Sequence, residues 1–248
     1  MSFTDLFSEN ADLYASARPH YPHELFTFIA TRAPSLERVW DCGTGNGQAA
    51  ISLATHFSEV YATDPSQDQI NHATTASNVS YSVQRAEQTA FPAKYFDAIC
   101  VAQALHWFDF EPFFSEVKRL AKPGAIFFAW GYSWPGVAPS FDDTFKSVIR
   151  DVIEPYWEPQ NRLLWNAYCD VPFPFDRLYT PEYQISVSWT FHQFLSYIAT
   201  WSATRKYAAE TGNELIDNAE SVLQPLWGNP DVARDVCMPL CVLAGHVS

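Results

Sequence analysis

The segment Val39-Trp40-Asp41-Cys42-Gly43-Thr44-Gly45-Asn46-Gly47 constrains the fold more than any other in the chain. An apolar run ends in an acid, glycines follow at alternate positions, and a helix-forming stretch starts at Gln48. Glycine admits positive φ without a Cβ penalty, so the chain can turn here directly from a strand into a helix. In open α/β sheets, such turns at the carboxyl ends of strands are where ligands bind.

The same unit repeats along the chain. Residues 22–33 read as a helix, with Pro22 near the start and Leu25, Phe26, Ile29 and Ala30 on one side. Strands are expected at 39–42, 60–63, 79–83, 96–102 and 125–130, with helices at 48–57, 66–75 and 113–121. Ser66 is the expected N-cap of the second of these helices. The run at 96–102 is almost wholly apolar, as in a strand covered on both faces. Lys122-Pro123-Gly124 marks the turn before the fifth strand. Strand, helix and strand in this rhythm predict a doubly wound α/β fold with a parallel sheet and right-handed crossovers.

After Trp130 the rhythm changes. Residues 131–181 are rich in Pro, Trp, Phe and Tyr, with one clear helix at about 141–153. They read as an aromatic-rich cap inserted over the strand ends of a single 1–248 domain. Alternation returns at 183–189, followed by helices at 192–207 and 215–226 and a last apolar run at 236–244.

With 248 residues, 48% of them hydrophobic, the chain can bury a large core. A net charge of -13 opposes a nucleic-acid substrate, because phosphate binding relies on clustered Lys and Arg. Cys42, Cys100, Cys169, Cys237 and Cys241 form no CxxC pair, and neither a zinc site nor a disulfide is expected. No signal peptide or membrane span is recognisable, so a cytoplasmic chain is expected, acting on a small-molecule acceptor as a monomer or weak homodimer.

A dinucleotide loop spaces its glycines G-x-G-x-x-G, and Gln48 occupies the third glycine position counted from Gly43. The D-x-G-x-G-x-G pattern instead brings bare backbone against a cofactor without a pyrophosphate. Asp41 can attract a cationic amino group, and Asp64, closing the second strand, can accept hydrogen bonds from two ribose hydroxyls. Together these features predict S-adenosylmethionine. A nicotinamide-dependent oxidoreductase and a non-catalytic cofactor-binding protein are the alternatives, whereas a hydrolase elbow G-x-S-x-G and a P-loop are both absent from the sequence.

Four stretches resemble the class I S-adenosylmethionine-dependent methyltransferases of the methyltransferase type 11 group, in particular the branch of trans-aconitate methyltransferase-like proteins. They are Tyr14-Ala15-Ser16-Ala17-Arg18-Pro19-His20-Tyr21-Pro22, the glycine loop, Ala86-Glu87-Gln88-Thr89-Ala90-Phe91-Pro92, and Val101-Ala102-Gln103-Ala104-Leu105-His106-Trp107-Phe108. The resemblance implies a seven-stranded sheet whose last strand, 236–244, is inserted antiparallel. It implies that Asp41, Gly43, Thr44 and Gly45 face the methionine part, Asp64 the ribose, and Ala86 and Glu87 the adenine rim. Gln103 and His106 would lie beside the sulfonium, and Tyr14, Arg18 and Tyr21 would belong to a covering segment within 1–35. Trp40, in place of a smaller aliphatic residue, and Gln84-Arg85, in place of a glycine, depart from the family pattern.

Each role has a plainer counterpart. Arg18 is a carboxylate clamp or the partner of a surface acid; Glu87 is an adenine contact, a solvated charge or a helix cap. His106 is a general base for a hydroxyl acceptor or a core histidine bonded to backbone. Trp107 and Phe108 read as packing, as do Trp130, Tyr132, Trp134, Trp157 and Trp165 taken singly. A carboxylate acceptor would need no base; a phenol, hydroxyl or thiol would.

Overall fold

Apolar runs become strands almost where the alternation places them. In the computed structural model, which describes residues 19–213 and 215–248, α1 (His23–Arg32) leads to β1 (Arg38–Cys42), α2 (Gln48–Leu53), β2 (Glu59–Asp64), α3 (Gln67–Asn71) and β3 (Val79–Val83). There follow β4 (Phe96–Ala102), a 3-10 turn (Leu105–Trp107), α4 (Phe110–Leu120) and β5 (Ala121–Tyr132). Tyr14 and Arg18 lie outside the described residues.

These elements belong to the first of two units, formed by His20–Ser133, Arg162–Gln184 and Leu240–Ser248. Its sheet has the order β3-β2-β1-β4-β5 with every pairing parallel. Beyond β5 comes the antiparallel β7 (Arg234–His246), then the two-residue β6 (Asp176–Arg177). The doubly wound sheet and its antiparallel late insertion agree with expectation; β6 is an addition.

Side-chain alternation divides the core between the two faces of the sheet. Trp40, Phe96, Val101 and Phe127 join Phe113, Val117 and Leu120 of α4 on one face. Val39, Ala98, Cys100 and Phe128 join Leu25 and Ile29 of α1 and Leu53 of α2 on the other. Trp40 is accommodated by stacking on Phe96 at 6.1 Å and by donating its indole N–H to Thr63 Oγ1 at 2.9 Å.

Several boundaries differ from the sequence reading. Asn71 ends α3 early because the Thr74 N–H is drawn to the Asn46 carbonyl at 3.0 Å. Strand β5 starts at Ala121, opposite Phe96, and resumes at Ile126 opposite Ala98, so Lys122, Pro123 and Gly124 bulge out of the ladder.

The second unit comprises, among the described residues, Trp134–Asn161 and Ile185–Pro239. Here α5 (Pro139–Phe145) continues through a π-helical turn (Lys146–Arg150) into a final turn (Asp151–Ile153). Residues 131–181 are therefore shared out, with α6 (Asn161–Trp165) contributing its last four residues to the first unit. The helix expected at 192–207 is two, α7 (Phe191–Ala199) and α8 (Ser202–Thr211). Trp201 breaks it by taking an extended conformation that buries its indole against Tyr197, with ring centroids 5.6 Å apart. Thr190 and Gln193 form a capping box on α7. Phe141 of α5, Phe194 of α7 and Trp227 of α9 (Leu215–Trp227) pack as a ring cluster with centroids 5.4–5.7 Å apart.

Candidate active site

The glycine loop is held by the strand beside it. The N–H groups of Gly43 and Thr44 both donate to the Thr63 carbonyl, at 2.8 and 2.9 Å. Asp64 completes the attachment: its Oδ2 accepts from the Gly45 N–H at 2.9 Å and its Oδ1 from the Ser66 N–H at 2.9 Å. Ser66 caps α3, as expected, accepting from the Gln69 N–H at 3.3 Å. Two acids and the loop are thus brought together at the carboxyl ends of β1 and β2.

Asp41 is fully buried. Its Oδ2 accepts a 2.5 Å hydrogen bond from the Thr44 hydroxyl, while Oδ1 makes no hydrogen bond among the described residues. Burial pushes its carboxyl up to about 7, the negative charge of Asp64 adds to the rise, and Thr44 and the Ala50 N–H oppose it. A buried carboxylate so placed favours a nearby cation.

The three glycines do different work. Gly47, at φ 87°, carries the turn into α2; a Cβ there would lie 2.1 Å from the Tyr81 hydroxyl. At Gly43 a Cβ would stand 2.7 Å from that of Ala104. At Gly45 the nearest atom to an added Cβ is Gln69 Oε1, 3.6 Å away, so this part of the loop offers bare backbone.

Past β4, Gln103 adopts φ 57° and clasps the backbone of Tyr132: its Nε2 donates to the Tyr132 carbonyl at 3.0 Å and its Oε1 accepts from the Tyr132 N–H at 2.8 Å. His106 is buried, with Nδ1 3.3 Å from the Tyr168 hydroxyl. Burial holds its imidazole down to about 3, so it is neutral at physiological pH. Ala86 is buried, and Glu87 bridges, accepting from the Asp109 N–H ahead of α4 at 3.2 Å and pairing with Arg85 at 3.5 Å. Tyr21 sets its ring edge-on to Trp130 at 5.7 Å and tilted to Tyr132 at 6.2 Å. Tyr81, Tyr132 and Tyr168 were not singled out as site residues by the sequence, because each arrives from a distant segment with no motif around it.

The family pattern described as a methyltransferase domain matches residues 40–129. A solved protein from Anaeromyxobacter dehalogenans, assigned as a type II methyltransferase, is 35% identical with a TM-score of 0.88, the match covering 93% of this chain and 98% of that one. The chain belongs to the class I S-adenosylmethionine-dependent methyltransferases. A Dictyostelium discoideum protein assigned as a methyltransferase is 27% identical over 233 residues, 92% of this chain and 89% of its own. The YcgJ protein of Bacillus subtilis shares the fold, with a TM-score of 0.54 at 17% identity. For this methyltransferase S-adenosylmethionine is the cofactor, and the nicotinamide alternative falls. The residues present fit it: the unsatisfied Asp41 Oδ1 suits a cationic amino end, and the bare backbone at Gly45 suits close approach. Among the described residues no helix is long and apolar enough to cross a membrane.

Proposed function

We propose that this methyltransferase acts on a small acceptor bearing a carboxylate or hydroxyl, by direct in-line transfer to oxygen. The observation that supports methyl transfer is the pair of strand-end acids, Asp41 and Asp64, flanking a glycine loop whose face at Gly45 is open, and the acceptor class rests on the resemblance to trans-aconitate methyltransferase-like proteins. When bound, S-adenosylmethionine supplies a methyl group on a positively charged sulfur that leaves as a neutral thioether.

Asp64 accepts from two backbone N–H groups, and as a carboxylate with several acceptor positions it is the group proposed to take the ribose hydroxyls. Asp41 supplies buried negative charge for the amino end, and Gly43, Thr44 and Gly45 present main chain to the methionine part. Ala86 and Glu87 form the adenine rim, while Tyr21 covers the cofactor. Gln103 positions the end of β4 against β5 through its clasp on Tyr132.

The chemistry asks little of the protein beyond alignment and exclusion of water. A carboxylate acceptor would need no base from the protein, because its oxygen already carries the lone pair that would take the methyl group. A hydroxyl acceptor must also lose a proton, for which His106 is the candidate base; burial keeps it neutral and so able to accept, and by holding its pKa to about 3 also makes it a weaker base than a free imidazole. A screen of small carboxylic acids, phenols and amines, read as S-adenosylhomocysteine release, tests the proposal. Turnover with neither class overturns the acceptor assignment, and turnover with amines alone replaces it.

A further inference from the structure

Residues 84–95, between β3 and β4, carry an isolated bridge of Arg85 to Gln88 but no helix or strand. Their main-chain polar groups must therefore find partners outside regular structure. Two side chains one turn apart on α4 supply several of them. Glu116 Oε1 accepts from the Thr89 N–H at 2.8 Å and from the Thr89 hydroxyl at 2.7 Å. Arg119 donates from Nη1 to the Phe91 carbonyl at 2.7 Å and from Nη2 to the Thr89 carbonyl at 3.4 Å. The two side chains also grip each other at two points, Nε to Oε2 at 2.7 Å and Nη2 to Oε1 at 2.6 Å. At the start of α4 the Asp109 N–H donates to Glu87, so the same segment is tied to both ends of one helix.

Cohesion alone does not call for such a pair. Phe113, Val117 and Leu120 already seat α4 in the core. Glu116 is buried, and burial works against its charge, but the bonds from Arg119 and Thr89 hold its carboxyl below the ordinary carboxylate value. A buried ion pair repays its desolvation poorly, and apolar side chains of similar volume often stabilise as much; one attested use of such a pair is to select one geometry among several. The geometry selected here is the path of 86–92, the segment that opens with Ala86 and Glu87.

We propose that Glu116, clamped by Arg119, is a positioning residue for the adenosine end of the cofactor, acting through Thr89 to set the path of the segment that carries Ala86 and Glu87. This rests on the adenine-rim reading above and extends it to a residue that works without contact with the cofactor. An acid at the rim accepts from the amino group of adenine and repels the carbonyl that replaces it in hypoxanthine. Displacement of the rim therefore shows as lost discrimination between the two bases.

Calorimetric titration of the full chain with S-adenosylhomocysteine and with S-inosylhomocysteine, which differ at that position of the base, tests the role. The wild type should prefer the adenine ligand by about ten-fold or more, the scale of a hydrogen bond to a charged group. Glu116→Gln keeps an acceptor for Thr89 but loses the charge that Arg119 clamps, and should cut the preference about three-fold, with Glu116→Ala cutting it further. General loosening of the fold lowers both affinities together and leaves their ratio unchanged, whereas a displaced rim lowers the ratio. Thr89→Val removes only the hydroxyl bond and should lower the ratio by a smaller factor; it decides if the Glu116 variants do not fold. A wild-type ratio in the Glu116 variants, or in Thr89→Val where those do not fold, overturns the positioning role. Equal binding of the two ligands by the wild type overturns the adenine-rim reading and the positioning role with it.

Discussion

The Gly45 N–H and Asp64 Oδ2 are 2.9 Å apart, so the acid proposed to hold the ribose also holds the loop that faces the cofactor. Its other oxygen fixes the Ser66 N–H ahead of α3. One side chain thus couples loop shape to cofactor recognition, and removing it disturbs both.

For Asp64→Ala the expected loss of S-adenosylmethionine affinity is about 1.5–3 kcal/mol, the scale of hydrogen bonds to a charged group. Thermal stability should fall as well, because two backbone N–H groups lose their acceptor. Asp64→Asn keeps an acceptor and should recover part of the stability but less of the affinity. Calorimetry and thermal melts on the same samples separate the two effects, and unchanged affinity in Asp64→Ala rejects the ribose assignment.

Asp41 ties cofactor binding to protons. Its folded-state pKa, about 7, lies above the ordinary 3.8, so the folded protein holds the extra proton between those values. Stability from this group is complete below about pH 4 and is lost as pH rises through 7, at up to about 1.4 kcal/mol per pH unit. Asp41→Asn should flatten that slope in denaturation series run across the interval. A bound ammonium favours the carboxylate, so S-adenosylmethionine binding near pH 6.5 should release protons. Binding heats that do not vary among buffers of different ionisation enthalpy would remove Asp41 from the amino-end role.

Gly45 and Gly47 should fail in different ways when changed to alanine. Gly47→Ala places a Cβ on the Tyr81 hydroxyl at positive φ and should lower the melting temperature sharply. Gly45→Ala meets no atom closer than 3.6 Å, so its folding cost should be near the conformational 1–2 kcal/mol, roughly, while cofactor affinity falls about ten-fold or more. If Gly45→Ala binds S-adenosylmethionine like the wild type, the bare-backbone contact is wrong.

His106 is buried and neutral, its pKa depressed from 6.5 to about 3. Its contribution to stability is present above pH 6.5 and lost as pH falls toward 3, and His106→Gln should reduce acid sensitivity there. Activity should show no inflection near pH 6.5 that disappears with His106. His106→Ala should slow methylation of hydroxyl acceptors more than of carboxylates; equal losses would mark it as a structural residue bonded to Tyr168.

The sequence by itself determined the parts whose signal is local. Apolar runs with glycine and proline punctuation located the five parallel strands, and an acid at the end of each of the first two runs marked Asp41 and Asp64 as a pair. Ser66 was legible as a cap for the same reason: its partner lies within one helical turn. Tertiary structure decided what depends on distant partners. Tyr168 reaches His106 across 62 positions, and Tyr132 meets Gln103 across 29. The division of 192–207 into two helices came from burying Trp201, a gain larger than the local preference for one continuous helix. Trp134, Trp157 and Trp201 are single aromatics in the sequence and become a cluster only through packing. Periodicity records which face of an element is apolar, whereas which side chain fills a given space is set by close packing between segments far apart in the chain.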